Sequence, residues 1–154
     1  MPHRGTATVD LDDFDRKIMA ALRRDGRMPV TTLAEQVGLS KTPCQVRLKR
    51  LVESGVIRGF TALIDGAKIG MDHIAFTEVK LSDTRDKALK AFNEGVQQIP
   101  EIEECHMIAS SFDYLLKVRT SSIYKYREIL GEKISALPFV ASTSSFVAME
   151  IIKE

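Results

Sequence analysis

Pro100 and Pro138 each close an amphipathic stretch, and the segments around those stretches have strand character. Before Pro100, Leu89, Phe92, Val96 and Ile99 recur at helical spacing; before Pro138, Ile123, Tyr126, Leu130, Ile134 and Leu137 do the same. A residue that precedes proline is biased out of the helical region, so each helix has a defined stop. HIAFTEVKL (73–81) comes before the first helix. IEECHMIA (102–109) and YLLKVRT (114–120) lie between the two, around the connection SSFD, and STSSFVAMEIIK (142–153) follows the second. The resulting order, βαββαβ, predicts a ferredoxin-like α+β domain with helices on one face of its sheet.

The other face of such a sheet needs cover. Tyr114, Leu116 and Val118 alternate with Leu115 and Lys117, and Ile74 and Phe76 oppose Ala75, Val79 and Leu81. Apolar residues on both sides predict that a second copy of the chain buries the open face, as a homodimer.

The first 62 residues follow a different pattern. Leu11, Phe14, Ile18 and Leu22 mark one face of a helix whose first turn holds Asp12, Asp13 and Asp15, acids favoured at the positive end of the helix dipole. Gly26 is placed to end it. Thr32-Leu-Ala-Glu35 fits a capping box for a second, short helix with Leu33, Ala34 and Val37 inward, broken by Gly38. A third helix opens at Ser40, or at Thr42 with Pro43 in its first turn. The Gly38-Leu-Ser40 turn joining the last two predicts a helix-turn-helix. Strand character in VIRGFTALID (56–65) predicts a small wing that brings Arg58 near a nucleic-acid backbone.

Charge supports that reading. Residues 1–62 carry 11 Lys/Arg and 7 Asp/Glu (+4), whereas residues 63–154 carry 11 and 14 (−3). Four of the cations fall within SKTPCQVRLKRL (40–51). At about 100° per residue, Cys44, Leu48, Leu51 and Val52 share the inner side of this helix. Thr42, Pro43, Val46, Lys49 and Arg50 take the outer side, flanked by Gln45 and Arg47. Cations at such a surface contact phosphates or guanine edges, and Thr, Gln and an exposed Val meet base edges or a thymine methyl. Ser40, Lys41, Thr42, Pro43, Gln45, Val46, Arg47, Lys49 and Arg50 therefore form the candidate DNA-binding set, with double-stranded DNA as the partner. Domain boundaries are expected at 1–62 and 72–154, with a hinge at 63–71 marked by Asp65-Gly66 and Gly70.

Catalytic readings fail on geometry. Cys44 faces the core, and adjacent strand residues such as Cys105 and His106 point to opposite faces, so they cannot form a thiolate–imidazole pair. Neither phosphate loop nor metal-ligand spacing is present, so no enzyme activity, metal or cofactor is expected. Two distant cysteines suggest a reducing compartment, and no apolar run approaches a membrane span or a signal-peptide core, so the cytoplasm is the expected location. Asp113, at the SSFD connection, is either a turn former or an acceptor for a ligand's ammonium group.

Many blocks in the same order carry a resemblance that spans nearly the whole chain. LDDFDRKI (11–18), DGR (25–27), VGLSKTPCQVRLKRL and GFTALID are followed by ECH (104–106), FDYLLK (112–117), YREILGE (126–132), LP (137–138) and VAME (147–150). The chain resembles the feast/famine (Lrp/AsnC) family of bacterial and archaeal regulators. Within it, KTPCQVRLKRL, SSFDYLLKVRT and VAST are most similar to the proline-utilisation activators. The resemblance implies an N-terminal winged helix-turn-helix and a C-terminal effector and assembly (RAM) domain. It also implies dimers that associate further, commonly into octamers, with a small amino acid bound where dimers meet, proline or a leucine-like one foremost. It assigns the effector site to Ser110, Ser111, Asp113 and Tyr114 and to Thr143, Ser145 and Val147 of the last strand. Where the family usually has Gly followed by an acid, this chain has Ser110 and Ser111; Ser110 adds a Cβ and a hydroxyl where glycine permits close backbone approach. The expected function is a sequence-specific transcription regulator whose DNA binding or assembly responds to an amino acid. The alternative is an architectural DNA-organising protein with weak sequence preference.

Overall fold

The computed structural model describes residues 8–154 and divides into two compact units, one ending at Leu63 and the other beginning at Ile64. In the first, α1 (Asp13–Arg24), α2 (Val30–Val37) and α3 (Lys41–Glu53) enclose Ile18, Ala21, Leu33, Ala34, Val37, Cys44 and Leu51. The capping box lies at the start of α1, not of α2. The Asp12 carboxylate accepts the Asp15 N–H at 3.0 Å, and the Asp15 carboxylate accepts the Asp12 N–H at 3.1 Å. Helix α2 begins at Val30 after Pro29, without a side-chain cap, so Thr32 and Glu35 are exposed helix-interior residues. Pro29 is the N-cap and its carbonyl accepts the first intrahelical bond, from the Leu33 N–H at 2.9 Å, so Thr32 already lies within the first turn and cannot cap it. Gly38 ends α2 in the left-handed region (φ 78°), so the chain turns at once into Ser40, the N-cap of α3. Residues 56–65 form no strand, and the expected wing is an irregular segment that opens with a bend at Val56 and Ile57. Val56 and Ile57 pack on the helices while Phe60 stays exposed.

In the second unit, β1 (His73–Leu81), β2 (Ile102–Met107), β3 (Tyr114–Thr120) and β4 (Val140–Val147) form a sheet in the order β2-β3-β1-β4, every neighbouring pair antiparallel. Helices α4 (Asp86–Val96) and α5 (Ile123–Ile129, continued by a π-helical turn over Leu130–Ile134) complete the βαββαβ order. The last strand ends at Val147, earlier than its composition suggests. Ala75, Val79, Leu81, Tyr114, Leu116 and Val118 form the sheet's half of the core, against Phe92, Val96, Tyr126, Ile129 and Ile134 from the helices.

The opposite face carries Phe76, Phe146, Leu115, Lys117 and Arg119, paired across strands as Phe76 with Phe146 and with Lys117. Both phenylalanines are exposed in the single chain. The segment after β4 returns over this face, where Glu154 pairs with Lys117 at 2.9 Å and with Arg119. Gly66 is buried. A Cβ there would stand 2.5 Å from the Met71 carbonyl and 2.6 Å from the Arg119 guanidinium, which donates to that carbonyl.

Candidate functional site

The sequence-derived DNA-binding residues sort into two groups on α3. Helical rotation places Thr42, Val46 and Lys49 opposite Cys44 and Leu51, which are fully buried. Ser40, Lys41, Thr42, Pro43, Gln45, Val46 and Lys49 are all exposed, Val46 to 63%. Val52, expected on the inner side, is 42% exposed, because at about 100° per residue it falls on the flank beside the buried Leu51.

Arg47 and Arg50 occupy the flank between inner and outer faces, and both turn toward α1. Arg47 Nη1 donates to Asp12 at 2.6 Å and to Asp15 at 3.0 Å, and its guanidinium lies 5.4 Å from the centre of the Phe14 ring. Arg50 Nη2 donates to the other Asp15 oxygen. Asp15 has a fully buried side chain, so each oxygen of an enclosed carboxylate receives one guanidinium. Asp12 titrates below the usual carboxylate range, because it accepts the Asp15 N–H and then the Arg47 guanidinium; Arg47 is correspondingly held above its usual value, by Asp12 first and Asp15 second. Arg47 is thus drawn inward, 27% exposed, whereas Arg50, expected on the outer side, keeps 49% of its side chain exposed while paired with Asp15. Side-chain reach to residues 32 to 35 positions away, not helical phase, sets their direction.

The effector candidates fall at one end and along one edge of the sheet. The 108–113 connection is closed by the Ile108 N–H on the Asp113 carbonyl at 2.9 Å. Asp113 is itself fastened to β1: its N–H donates to the Val79 carbonyl at 2.9 Å, and its Oδ2 accepts the Leu81 N–H at 2.7 Å, with Lys80 Nζ 4.0 Å away. Its Oδ1 has no hydrogen-bond donor among the described residues and its side chain is 18% exposed, while Ser110 and Ser111 are exposed. Thr143 stands opposite Val79 and so reaches the same end of the sheet.

Three other candidates are arranged differently. Tyr114 is a core residue, 2% exposed, with its ring centre 4.4 Å from that of Phe92 and its hydroxyl buried without a partner. It therefore does not line an open site in the single chain. The Ser145 hydroxyl lies 2.5 Å from the Tyr126 hydroxyl, which in turn lies 2.8 Å from that of the buried Thr77. Val147 is opposite Ala75, four residues beyond Thr143 and so about 13 Å along the strand. One chain does not gather all seven residues around one small molecule. The Thr77–Tyr126–Ser145 chain was not anticipated from sequence, since Tyr126 reads simply as an apolar position of its helix.

Among the described residues no group of three or more His, Cys, Asp or Glu side chains is arranged to hold a metal. Burial pushes the Cys105 thiol up to about 11 and raises that of Cys44, the direction opposite to an activated nucleophile. No described helix is long and apolar enough to cross a membrane.

Residues 11–58 match the winged helix-turn-helix DNA-binding domain, and residues 74–154 match the Lrp/AsnC ligand binding domain. The chain belongs to the Lrp/AsnC family. This Lrp/AsnC protein is 65% identical over 147 residues to the proline dehydrogenase transcriptional activator of Rhizobium radiobacter, covering 96% of the chain and 94% of the relative. It is 41% identical to the leucine-responsive regulatory protein of Klebsiella pneumoniae, over 94% of the chain and 88% of the relative. Its fold matches an AsnC family transcriptional regulator from Agrobacterium tumefaciens with a TM-score of 0.88 at 35% identity, covering 94% of both chains. A Neisseria meningitidis transcriptional regulator, solved as an L-Met complex, matches with a TM-score of 0.88 at 28% identity, again over 94% of both. The Lrp/AsnC protein is a transcription regulator with a DNA-binding domain and a ligand-binding domain, not an enzyme.

Proposed function

We propose that the outer face of α3 reads DNA in the major groove through Ser40, Lys41, Thr42, Pro43, Gln45, Val46 and Lys49. The observation that carries this reading is Val46: it is 63% exposed on a helix whose opposite side buries Cys44 and Leu51 completely. An apolar side chain held outward among Thr, Gln and Lys suits a thymine methyl and the neighbouring base edges. Contacts of this kind favour a sequence-specific regulator over an architectural DNA-organising protein. The protein works in the cytoplasm with its DNA.

The effector is a small amino acid, proline first and a leucine-like side chain second. Two relatives that carry the proline dehydrogenase activator name, at 65% and 53% identity, and the L-Met complex of the structural neighbour support this reading. Ser110, Ser111, Asp113 and Thr143 form the part of the site that one chain supplies, with Asp113 Oδ1, the oxygen not bonded to Leu81, accepting the ammonium group. Tyr114 supports that loop from beneath, while Ser145 and Val147 lie farther along the β4 edge and complete a site at a junction between subunits. Homodimers form over the exposed Phe76–Phe146 face and associate into octamers, so the effector acts by favouring one assembly. A thermal-shift screen of the twenty amino acids tests the effector reading, since a ligand that binds the folded state raises its stability. Proline is expected to give the largest shift; an unchanged melting temperature with all twenty would overturn an amino-acid effector.

A further inference from the structure

We propose that Asp15 is the positioning residue of the DNA-reading helix, and that Arg47 and Arg50 serve it rather than the DNA. This inference rests on α3 being the helix that reads DNA. The supporting geometry is specific. Asp15 is the one charged residue in the buried set among the described residues, and its two oxygens are taken by two different arginines of α3. Those arginines are three residues apart and so project from the same side of the helix. Arg47 is further enclosed by Asp12 and by the Phe14 ring, and its side chain is 27% exposed. Asp12 and Asp15 carry two negative charges and Arg47 and Arg50 two positive ones, so the cluster as a whole is neutral.

Apolar contacts alone leave α3 some freedom to rotate about its axis, because the hydrophobic attraction is not directional. Two charge-assisted hydrogen bonds to one fixed carboxylate are directional, and they sit on the flank between the buried and outer faces. They set the rotation at which Thr42, Val46 and Lys49 point away from the domain. The same pairing commits the guanidinium of Arg47, whose side chain is 27% exposed, to the domain. It also engages that of Arg50, whose side chain stays 49% exposed, so each is a weaker partner for phosphate than an unpaired cation. Lys49, paired only loosely with Glu53 at 3.7 Å on the surface, remains available to neutralise phosphates.

The experiment measures affinity against salt concentration for two duplexes: one enriched by the full-length protein from a random-sequence pool, and a scrambled duplex of the same composition. Asp15→Asn keeps the shape, releases Arg50, and leaves Arg47 held by Asp12 alone. It is expected to bind the scrambled duplex more tightly with a steeper salt dependence, and to lose about tenfold or more in discrimination, the loss of one base contact. A merely structural role would weaken binding to both duplexes. Arg50→Gln is expected to leave the salt slope on the scrambled duplex unchanged, whereas Lys49→Gln lowers it by about 0.9 for one phosphate contact. Discrimination unchanged in Asp15→Asn, or a slope lowered as much by Arg50→Gln as by Lys49→Gln, would overturn the positioning role. Should Asp15→Asn fail to fold by circular dichroism, the Arg50→Gln slope decides alone. A full slope in Lys49→Gln would instead count against α3 as the DNA-reading helix, and would remove the basis of the inference with it.

Discussion

The Asp113 carboxylate accepts the Leu81 backbone N–H at 2.7 Å, which ties the connection between β2 and β3 to the end of β1. The acid that sequence leaves undecided between turn former and ligand acceptor thus already has a structural duty, with one oxygen left over. Asp113→Ala is expected to cost about 1.5–3 kcal/mol, the usual worth of a hydrogen bond to a charged group. Asp113→Asn retains the acceptor for Leu81 and should recover most of that stability while losing attraction for an ammonium group. Urea unfolding alongside calorimetry with proline separates the two roles. Equal stability losses in both variants would show that the Leu81 bond contributes nothing.

Tyr126 links Thr77 and Ser145 through its hydroxyl, with Thr77 fully buried. Tyr126→Phe leaves the Thr77 hydroxyl without that partner and is expected to destabilise by about 1–3 kcal/mol. Thr77→Val added to Tyr126→Phe should then cost less than Thr77→Val does in the parent, because the hydrogen bond it would break is already gone. A double-mutant cycle checks this, with a coupling of about 0.5 kcal/mol or more expected for groups in contact. Strict additivity would count against the hydrogen-bonded chain.

Acid should act on the first unit through Asp12. Its folded pKa lies below the usual 3.8, because the Asp15 N–H and then Arg47 stabilise its charged form. Such a group contributes stability above its unfolded pKa, and the contribution is lost as pH falls toward and through the lowered folded value. Asp12→Asn is therefore expected to be less stable than the parent near neutrality, with the gap closing below about pH 4. Melting curves followed by circular dichroism from neutral to acid pH test the sign. A gap that widened in acid would contradict it.

Both cysteines should resist alkylation in the folded protein. Burial holds Cys105 near 11 and raises Cys44, so little thiolate exists at mildly alkaline pH, and Cys44 is also inaccessible. Mass spectrometry after iodoacetamide at about pH 8 is expected to find both unmodified over times that label an ordinary free thiol of pKa about 8.5. Rapid labelling of Cys105 in folded protein would show that its strand opens readily. In denaturant both should react.

The contrast between Cys44 and Arg50 shows how far the amino-acid order reaches. Helical spacing alone puts Cys44, Leu48 and Leu51 inside and Val46 outside, and the alternation in β1 and β3 separates the core face from the open face. These are local properties: each follows from the fixed period of a helix or strand, together with the tendency of apolar side chains to leave water. The βαββαβ order follows in the same way, because the prolines and glycines that punctuate it act on their own neighbours. Where the period is absent the reading falters, as in residues 56–65, whose β-branched and aromatic residues find no strand to pair with. A β preference becomes a strand only when another strand lies beside it.

Tertiary structure alone decided which charges meet. Arg50 and Asp15 are 35 positions apart, and nothing in helical phase says that a buried acid of α1 will claim a cation that composition assigns to DNA. Tyr114 likewise belongs to a resembling motif but sits under α4 against Phe92, while Ser145 is taken up by Tyr126. Ion pairs and hydrogen bonds act over about 3 Å, so their partners depend on the final packing of distant segments. SKTPCQVRLKRL thus carries its inner and outer faces in its own spacing, but the division of its cations between the protein and its DNA depends on where α1 lies.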